Sequence, residues 1–450
     1  MNKFLLGTII LILAISACRS DKVQLATQND ILLENAIKKF SPNGELEHFI
    51  LPESNDYASI PTSPENPITP VKVALGKFLF FETGLGLSPM QEIGEGTYSC
   101  GSCHIPSAGF KSGRAQGIGE GGVGFGINGE ARTMSDLYTP EQLDAQGARP
   151  LSMLNAAYVT NALWNGQFGG GGVNEGTESL WKEEDGTEIN HLGLGGLETQ
   201  NIESLKLHRM VVNKDVMTDL GYSPYFESAF SDIPEDERYS LKTASFAIAA
   251  YLRTLITNKA PFQDYLKGNR DALTEQEKRG AMLFFGDAKC ATCHSSPSLN
   301  SMTFYAVGVK DLYECENEID IFNTSADDTR NLGRGGFTED PEDMYKFKVP
   351  QLYNLKDTPF YFHGSSKTTL RGVVEYFNNA IPENVNVPSS QIPPIFSPLG
   401  MSESDIDDLV SFLDNGLNDP DLERYAPDYI LSGNCFPNND PQSRIDLGCD

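Results

Sequence analysis

The chain has 450 residues with 34 basic and 62 acidic side chains, so its formal net charge is −28. Hydrophobic residues make up 39% and charged residues 21%, which is typical of a folded protein and argues against disorder of the whole chain. A surface this acidic repels nucleic-acid phosphates and anionic lipid headgroups, so neither is expected as a ligand. At about 150 residues a domain, the length predicts two or three structural units.

The N-terminus has the pattern of an export signal. Lys3 precedes an apolar run over 4–17, which is too short to span a bilayer but fits a signal peptide, predicted over 1–17. The run ends in ISAC, which resembles a bacterial lipobox, where Cys18 is acylated; an ordinary signal peptide with a chance cysteine is the alternative. Residues 18–70 are polar and then proline-rich, which predicts a tether. We therefore expect a lipoprotein on the periplasmic side of the cell envelope, anchored in the outer membrane.

Helix signals dominate the rest of the chain. The apolar run over 243–256 predicts a buried helix, and Thr274 with Glu277 forms a capping box at the start of another. A third helix is predicted over 402–416 from its cap and its apolar face. The glycine-rich stretch 113–129 predicts a loop, and alternating strand patterns are few. The sequence predicts a mainly α fold with long loops.

Two copies of the motif C-x-x-C-H indicate a cofactor. In this motif the two cysteines form thioethers with haem vinyl groups and the histidine binds iron. A four-cysteine zinc site, two redox dithiols and two disulfides are alternatives, but none of them requires the histidine. With 6 histidines in 450 residues, chance places one after both motifs with a probability of about 2 × 10⁻⁴. We therefore predict two covalently bound c-type haems, with the iron ligands being the two histidines. The six residues are Cys100, Cys103, His104, Cys290, Cys293 and His294.

Beyond these motifs the sequence resembles the bacterial di-haem cytochrome c peroxidases and their relatives, including the di-haem enzyme of methylamine utilisation. The resemblance covers about residues 70–415. It implies two cytochrome-c-like haem domains, here 71–260 and 261–420, followed by a cysteine-containing tail over 421–450. The blocks that carry it are Leu75 to Phe81, Gly109-Phe110, Arg149 to Asn155, Trp164 to Gly166, Phe347 to Pro350, Asn354 and Tyr361 to His363.

The resemblance implies that the haem on His104 reduces hydrogen peroxide. The haem on His294 would pass in electrons from a small periplasmic donor, a cytochrome or a cupredoxin. Trp164 would lie between the haems and help electrons cross, with a core tryptophan as the alternative. His363 is expected to pack near the second haem, unless it is an ordinary core histidine. A homodimer is compatible with the resemblance.

Two other functions stay open. One is a related di-haem oxidase that acts on a protein or an organic substrate, and the other is a non-enzymatic di-haem electron carrier. Many family members hold a distal histidine in the loop after the first haem motif, whereas this sequence has no histidine between His104 and His191. We therefore expect the first haem to be open without reductive activation, which argues against a pure carrier.

The catalytic pair of the family is only half retained. Its glutamine corresponds to Gln200, but its glutamate position falls within 207–210, where no carboxylate occurs. His208 and Arg209 are the predicted substitutes, as a proton shuttle and as a cation opposite the breaking bond. Glu203 is a second candidate, and a surface histidine beside an arginine is the plainest alternative.

The second iron also departs from the family. Its second axial ligand, a methionine or tyrosine, falls at Phe377, seven residues after Leu370. A phenyl ring has no lone pair to offer iron, so that ligation cannot form at this position. Tyr376 and Met401 are the alternative ligands. We predict an iron held by His294 alone or with water.

Calcium and the remaining cysteines give weaker expectations. The family has a calcium ion between its domains, but the side-chain asparagine expected just after Arg149 is absent, while Thr358 is retained. The sequence therefore leaves Ca²⁺ open. In an oxidising compartment Cys435 and Cys449 are predicted to form a structural disulfide, which leaves Cys315 odd.

Overall fold

The structure is a computed structural model of the chain, and it describes residues 26–315 and 320–449. The predicted signal peptide and the predicted lipidation site Cys18 lie outside the described residues. Helices joined by long loops form the described part, and its sheet consists of two antiparallel ladders of two strands each. The prediction of a mainly α fold is therefore confirmed.

The helices and strands are short and widely spaced along the chain. The helices are α1 Gln28–Lys38, α2 Pro70–Phe81, α3 Gly196–Leu207, α4 Lys214–Asp219, α5 Ser223–Ala229, α6 Glu235–Arg238, α7 Leu241–Arg253, α8 Pro261–Leu266, α9 Glu275–Phe284, α10 Gly335–Thr338, α11 Leu370–Asn379, α12 Glu403–Ser411 and α13 Pro441–Leu447. The strands are β1 Gly122–Val123 paired with β2 Thr133–Met134, and β3 Phe304–Tyr305 paired with β4 Phe347–Lys348.

The first hydrophobic core forms where α2, α3, α5 and α7 meet. α7 begins at the capping box of Ser240 and Thr243 and is buried along most of its length, as its apolar sequence predicts. α2 crosses it so closely that a Cβ at Gly76 would lie 1.9 Å from the Ala247 carbonyl oxygen. Glycine at this position is therefore what allows the two helices to touch. The core extends to Phe110, just beyond the first haem motif.

The second core forms around α1, α8, α9, α11 and α12. It repeats the same packing device, since a Cβ at Gly280 of α9 would lie 2.0 Å from the Asp408 carbonyl oxygen of α12. The predicted capping boxes of Thr274 and Ser402 start these two helices. Each core thus packs the helix that precedes a haem motif against a later helix, and the two motifs lie in different cores.

The tether prediction is wrong for the described residues of that segment. Leu33, Ile37 and Phe49 are fully buried in the second core, and Asp30 forms a buried ion pair with Lys278 of α9 at 2.9 Å. A polar average composition concealed a short amphipathic helix, α1, whose apolar side chains recur with helical spacing. Within residues 26–315 and 320–449, every helix is too short or too polar to cross a membrane.

The C-terminal tail packs back onto the first core. Leu422, Tyr425 and Ile430 are buried there, so the chain returns to its N-terminal half after completing the second core. Cys435 and Cys449 form a disulfide, which confirms that prediction.

Candidate functional site

The two C-x-x-C-H motifs have matching local geometry. Each begins in a 3₁₀ turn, and the backbone N–H of each histidine donates to the carbonyl of the first cysteine, at 3.1 Å for His104 and 3.0 Å for His294. The Nδ1 atom of His104 lies 3.1 Å from the Phe110 carbonyl oxygen, and that of His294 lies 2.8 Å from the Leu299 carbonyl oxygen. A carbonyl only accepts, so Nδ1 carries the hydrogen and Nε2 keeps its lone pair.

This donor set fits covalently bound haem. Burial lowers the pKa of both His104 and His294 to about 4, so each imidazole is neutral at physiological pH and able to bind iron. The four motif cysteines form no disulfide and are available for thioether bonds. Among the residues that the structure describes, no three His, Cys, Asp or Glu side chains are grouped to hold a metal ion.

His208 lies at the end of α3 and pairs with a carboxylate. Its Nδ1 atom is 2.7 Å from Asp144 Oδ2, and the Tyr98 hydroxyl donates to its backbone carbonyl at 2.7 Å. Burial disfavours the charged imidazole, but Asp144 outweighs it and raises the pKa of His208 above its usual value. Burial opposes ionisation of Asp144 as well, and His208 outweighs it, so the pKa of this carboxyl is lowered. The pair therefore favours the protonated form of His208.

Arg209 is held by a second carboxylate. Its Nε atom donates to Glu120, and the Tyr138 hydroxyl donates to the other oxygen of Glu120 at 2.7 Å. Glu120 is fully buried and also accepts from the Met90 backbone N–H, so three donors satisfy a carboxylate that has no access to water. The Arg209 Nη2 atom is buried and has no hydrogen-bond partner among the described residues, which leaves its cationic N–H donors available for a ligand.

These two pairs, which we call the distal group (Glu120, Asp144, His208 and Arg209), lie beside the first motif. The positive charge of His208 is one of the causes that lower the pKa of His104, after burial, so the two imidazoles are close enough to interact. The loop that carries Glu120 also covers the motif, because a Cβ at Gly117 would lie 2.8 Å from Cys103 Sγ.

The other predicted catalytic residues of α3 point elsewhere. Gln200 Nε2 donates to Ser204 Oγ at 2.7 Å, and Glu203 lies 3.7 Å from the Lys206 ammonium. Burial raises the pKa of Glu203. The structure therefore brings His208 and Arg209 together with two carboxylates, while the recorded contacts of Gln200 and Glu203 remain within α3 and the loop at Gly186.

Trp164 and His363 lie next to each other. The Trp164 indole N–H donates to the Arg149 carbonyl at 2.7 Å, and its ring meets the His363 ring edge-on at a centroid distance of 6.2 Å. His363 stacks on Phe347 at 3.6 Å and is hydrogen-bonded to Asp311 at 2.8 Å between Nε2 and Oδ1. This contact is compatible with the expected position of Trp164 between the haems.

The surroundings of Phe377 are apolar. Its ring packs against Phe362 and Phe396, at centroid distances of 6.1 and 5.8 Å. The Tyr376 hydroxyl donates to the Val307 carbonyl at 2.6 Å, and Met401 packs against the second core. Both alternative ligands for the second iron are thus engaged in other contacts.

The calcium ion that the sequence left open does not fit the junction between the two halves. The Arg149 guanidinium donates to Thr358 Oγ1 at 2.6 Å, and the Lys111 ammonium donates to the Asn354 carbonyl at 3.1 Å. Both residues are buried: Arg149 is 3% exposed and Lys111 is 8% exposed. Two cationic side chains occupy oxygen donors there, which disfavours a divalent cation.

Sequence reasoning missed three carboxylates. Glu120, between two glycines, was the one charged side chain in the run Gly117–Gly122 and could have been noticed. Asp144 and Asp311 had no local signal, because their histidine partners lie 64 and 52 residues away in the chain.

Comparison with known proteins gives consistent matches. The chain matches the family model described as di-haem cytochrome c peroxidase over residues 70–271. It is 28% identical over 358 residues to the methylamine utilization protein MauG of Methylorubrum extorquens, covering 79% of this chain and 81% of that protein. It is 25% identical over 372 residues to the cytochrome-c peroxidase IdrP1 of a Pseudomonas species, covering 79% and 83%. A solved MauG-like protein associated with microbial copper homeostasis shares the fold, with a TM-score of 0.56, 23% identity and coverage of 87% of this chain and 98% of that chain.

Proposed function

We infer that this chain belongs to the di-haem cytochrome c peroxidase family, and on that premise we propose that it reduces hydrogen peroxide to water with electrons from a small periplasmic donor. The proposal rests chiefly on the distal group, in which His208 and Arg209 are each held by a buried carboxylate beside the first haem motif. A protein that only carries electrons has no use for a positioned acid and a positioned cation at an iron site. The chain is therefore an oxidoreductase of the peroxidase type.

The chain holds its two haems through the motifs. Cys100, Cys103 and His104 hold the first haem, and the corresponding residues at 290, 293 and 294 hold the second. When bound, the haem iron supplies the binding site for peroxide and the capacity to change oxidation state. Because each Nδ1–H is held by a backbone carbonyl, both imidazoles keep a fixed orientation and present Nε2.

His208 moves the proton. Cleavage of the peroxide O–O bond requires a proton on the leaving oxygen, and a positioned acid contributes about 10²–10⁴-fold to such a step. His208 carries that proton, because Asp144 raises its pKa. Asp144 holds the Nδ1 atom, so Nε2 is the atom that gives and takes the proton.

Arg209 stabilises the developing negative charge. Its buried Nη2 group has no partner within the described residues. It can therefore donate to an oxygen that gains negative charge without any rearrangement of the side chain. Glu120 and Tyr138 hold the guanidinium in place. Glu120 also balances its charge in a site removed from water.

Electrons enter at the other end. We propose that His294 would hold a haem that takes electrons from a small periplasmic cytochrome or cupredoxin, and that Trp164, with His363 beside it, would serve their passage to the first half. His294 is the proposed protein ligand of the second iron. The lipid anchor on Cys18 and the periplasmic location complete this proposal.

Turnover of the holoenzyme tests the function. Protein carrying both haems is mixed with hydrogen peroxide and a reduced small c-type cytochrome. The consumption of peroxide and the oxidation of the cytochrome are both measured. Peroxide reduction to water takes two electrons, so two cytochromes should be oxidised for each peroxide consumed. Peroxide-dependent cytochrome oxidation no faster than in the protein-free control would refute the proposal.

A second candidate is a related di-haem oxidase that acts on a protein or an organic substrate. Its support is the 28% identity to the methylamine utilization protein MauG, which is no lower than the 25% identity to IdrP1. Peroxide consumption that depends on an added protein or organic reductant, while reduced cytochrome remains unoxidised, would favour this second function.

A further inference from the structure

Residues near the C-terminus cover the first haem motif. We call residues 432–449 the C-terminal strap; they lie outside residues 70–271, which match the family. Ser99 Oγ, just before the motif, donates to the Pro437 carbonyl at 2.8 Å. A Cβ at Gly101, inside the motif, would lie 2.8 Å from Pro437 Cβ. The disulfide between Cys435 and Cys449 closes the strap into a loop.

The strap contributes Asp440 to a buried ion pair with Arg132. Arg132 Nη1 lies 3.0 Å from Asp440 Oδ2, and their side chains are only 1% and 4% exposed. Asp440 also accepts from the Gly124 backbone N–H at 3.0 Å and from Ser443 Oγ at 2.6 Å. A buried pair that loses one partner leaves an uncompensated charge, so removal of either Arg132 or Asp440 should strongly lower the stability of the protein.

Arg132 uses its remaining donors to hold the glycine-rich loop over 117–124. Its Nε donates to the Ile118 carbonyl at 2.8 Å, and its Nη2 donates to the Gly119 carbonyl at 2.7 Å. Glycines allow this loop to wrap around the guanidinium, since a Cβ at Gly122 would lie 2.4 Å from Arg132 Nε. Arg132 therefore helps to hold the shape of this loop, together with its backbone pairing to 133–135 and 144–146.

The same loop holds both carboxylates of the distal group. Glu120 lies within it, directly after the Ile118 and Gly119 carbonyls that accept from Arg132. The Gly119 N–H donates to the Asp144 carbonyl at 2.8 Å, and the Asp144 N–H donates to the Glu120 carbonyl at 3.1 Å. A displacement of the loop therefore moves Glu120 and Asp144 together, and with them the partners of Arg209 and His208.

We propose that Arg132 and Asp440 are positioning residues of the peroxide site, through which the C-terminal strap holds the distal group in its working geometry. The inference rests on the proposed function, because it assigns a support to the same site. Arg132 and Asp440 act through Glu120 and Asp144. Their role is to keep the carboxylates of the distal group in register with the first haem motif.

A matched pair of variants separates positioning from stability. The Asp30–Lys278 pair of the second core is equally buried, with side-chain exposures of 1% and 4%. Asp440→Asn and Asp30→Asn each remove one carboxylate charge from a buried pair, so both should lower Tm by a similar amount. We expect only Asp440→Asn to lower kcat for peroxide, by about 10–100-fold, as is usual when the partner of a functional side chain is lost. KM and the content of two haems should stay close to those of the parent.

Hydrogen exchange on the holoprotein supplies a readout that does not depend on turnover. In Asp440→Asn the backbone amides of 117–124 should exchange at least about tenfold faster, while in Asp30→Asn the faster exchange should lie in α1 and α9. Unchanged exchange over 117–124 in Asp440→Asn would overturn the positioning role. Faster exchange there with a parent enzyme that never reduces peroxide would instead refute the proposed function and keep the structural link.

A milder variant covers the case in which Asp440→Asn fails to fold. Asp446 of the strap accepts from the Phe125 N–H at 2.7 Å and from the Gly126 N–H at 3.0 Å, at the edge of the same loop. Asp446→Asn should raise exchange over 117–126 and lower kcat in the same direction by a smaller factor. Normal exchange and normal kcat in this variant would count against the strap.

Discussion

The two halves of the molecule solve the same packing problem and surround it with different chemistry. In each half a glycine allows two helices to cross, at Gly76 and Gly280, and the residue four positions later is a phenylalanine. Phe80 lies 6.4 Å from the His104 ring and Phe284 lies 6.4 Å from the His294 ring. We call this arrangement of glycine, phenylalanine and histidine a haem platform: Gly76, Phe80 and His104 in the first half, and the equivalent residues at 280, 284 and 294 in the second. The platform that presents an iron ligand is therefore repeated.

What differs is the set of residues at the positions predicted to face each iron. The first motif has the distal group, with two buried or partly buried ion pairs and an unpartnered Arg209 N–H. In the second half, Phe377 stands at the position predicted for the second ligand of the iron, and it is packed among aromatic rings. Bond cleavage with proton transfer needs fixed charges, whereas electron transfer does not. The difference supports the proposed roles, with peroxide chemistry in the first half and electron entry in the second.

The largest expected effect breaks this asymmetry at its acid. His208→Gln should lower kcat for peroxide by about 10²–10⁴-fold with two haems retained, because the glutamine cannot carry the proton. His48→Gln is the matched control, since His48 Nε2 lies 3.2 Å from the Ser295 carbonyl beside the second motif. It should leave kcat near the parent value in steady-state assays.

Glu203→Gln is the competing variant for that role. Glu203 is paired with Lys206 at 3.7 Å, so its loss should leave kcat nearly unchanged. A normal rate in His208→Gln together with a collapsed rate in Glu203→Gln would move the proton-transfer role to Glu203.

The next effect concerns the cation. Arg209→Leu should lower kcat by about 10²–10³-fold, the usual effect of removing a donor aimed at developing negative charge. The matched control is Arg279→Leu, because Arg279 forms an ion pair with Asp408 at 2.6 Å beside the second platform. Equal losses in the two variants would show that any arginine near a haem platform affects turnover, and would remove the special role of Arg209.

The repeated helix crossing predicts equal sensitivity in the two halves. Gly76→Ala and Gly280→Ala would each place a Cβ within about 2 Å of a backbone oxygen, which the helices can relieve only by moving apart. Each should lower the free energy of unfolding by about 1–3 kcal/mol, the usual cost of overpacking. Thermal unfolding of the two single variants measures this. A large loss in one variant and none in the other would show that the two platforms are not equivalent.

Local sequence predicted what neighbouring residues determine. The ligands His104 and His294 followed from a five-residue motif, and the α9 and α12 starts followed from capping boxes. Roles that depend on residues far apart in the chain were not predictable in this way. Asp144 and its partner His208 are 64 residues apart in the chain, and Glu120 and its partner Arg209 are 89 residues apart. Arg132 helps to hold the loop that carries Glu120.

The N-terminal segment shows a second limit. Average polarity predicted a tether, but burial depends on the positions of a few apolar side chains. Leu33 and Ile37 lie on one face of α1, and Asp30 is balanced by Lys278 rather than by water. One hydrophobic face and one buried ion pair were enough to dock the helix.

A smaller effect is expected from pH. The folded protein raises the pKa of His208, so it binds this proton more tightly than the unfolded chain does. The stabilisation is fully present below the unfolded pKa of about 6.5 and is lost as pH rises through the higher folded value. Tm of the parent should therefore fall relative to Tm of His208→Gln across that window, and kcat should fall with it as the acid loses its proton. A constant difference in Tm from pH 6 to pH 9 would contradict this.

The smallest effect is expected at the second iron. Met401 is the one sulfur candidate that the sequence offered for this iron, yet it packs against the second core and its N–H donates to Asn378 Oδ1 at 2.9 Å. Phe377 is enclosed by aromatic rings and has no atom that binds iron. Met401→Leu keeps the volume and apolar character of the side chain, so it should leave the absorption spectrum of the oxidised holoprotein unchanged. A methionine-ligated iron shows a sulfur-to-iron charge-transfer band in the far red, and that band should be absent from both proteins. Such a band in the parent that disappears in Met401→Leu would show that the second platform completes its ligation with sulfur, and the proposed His294-only ligation would then be wrong.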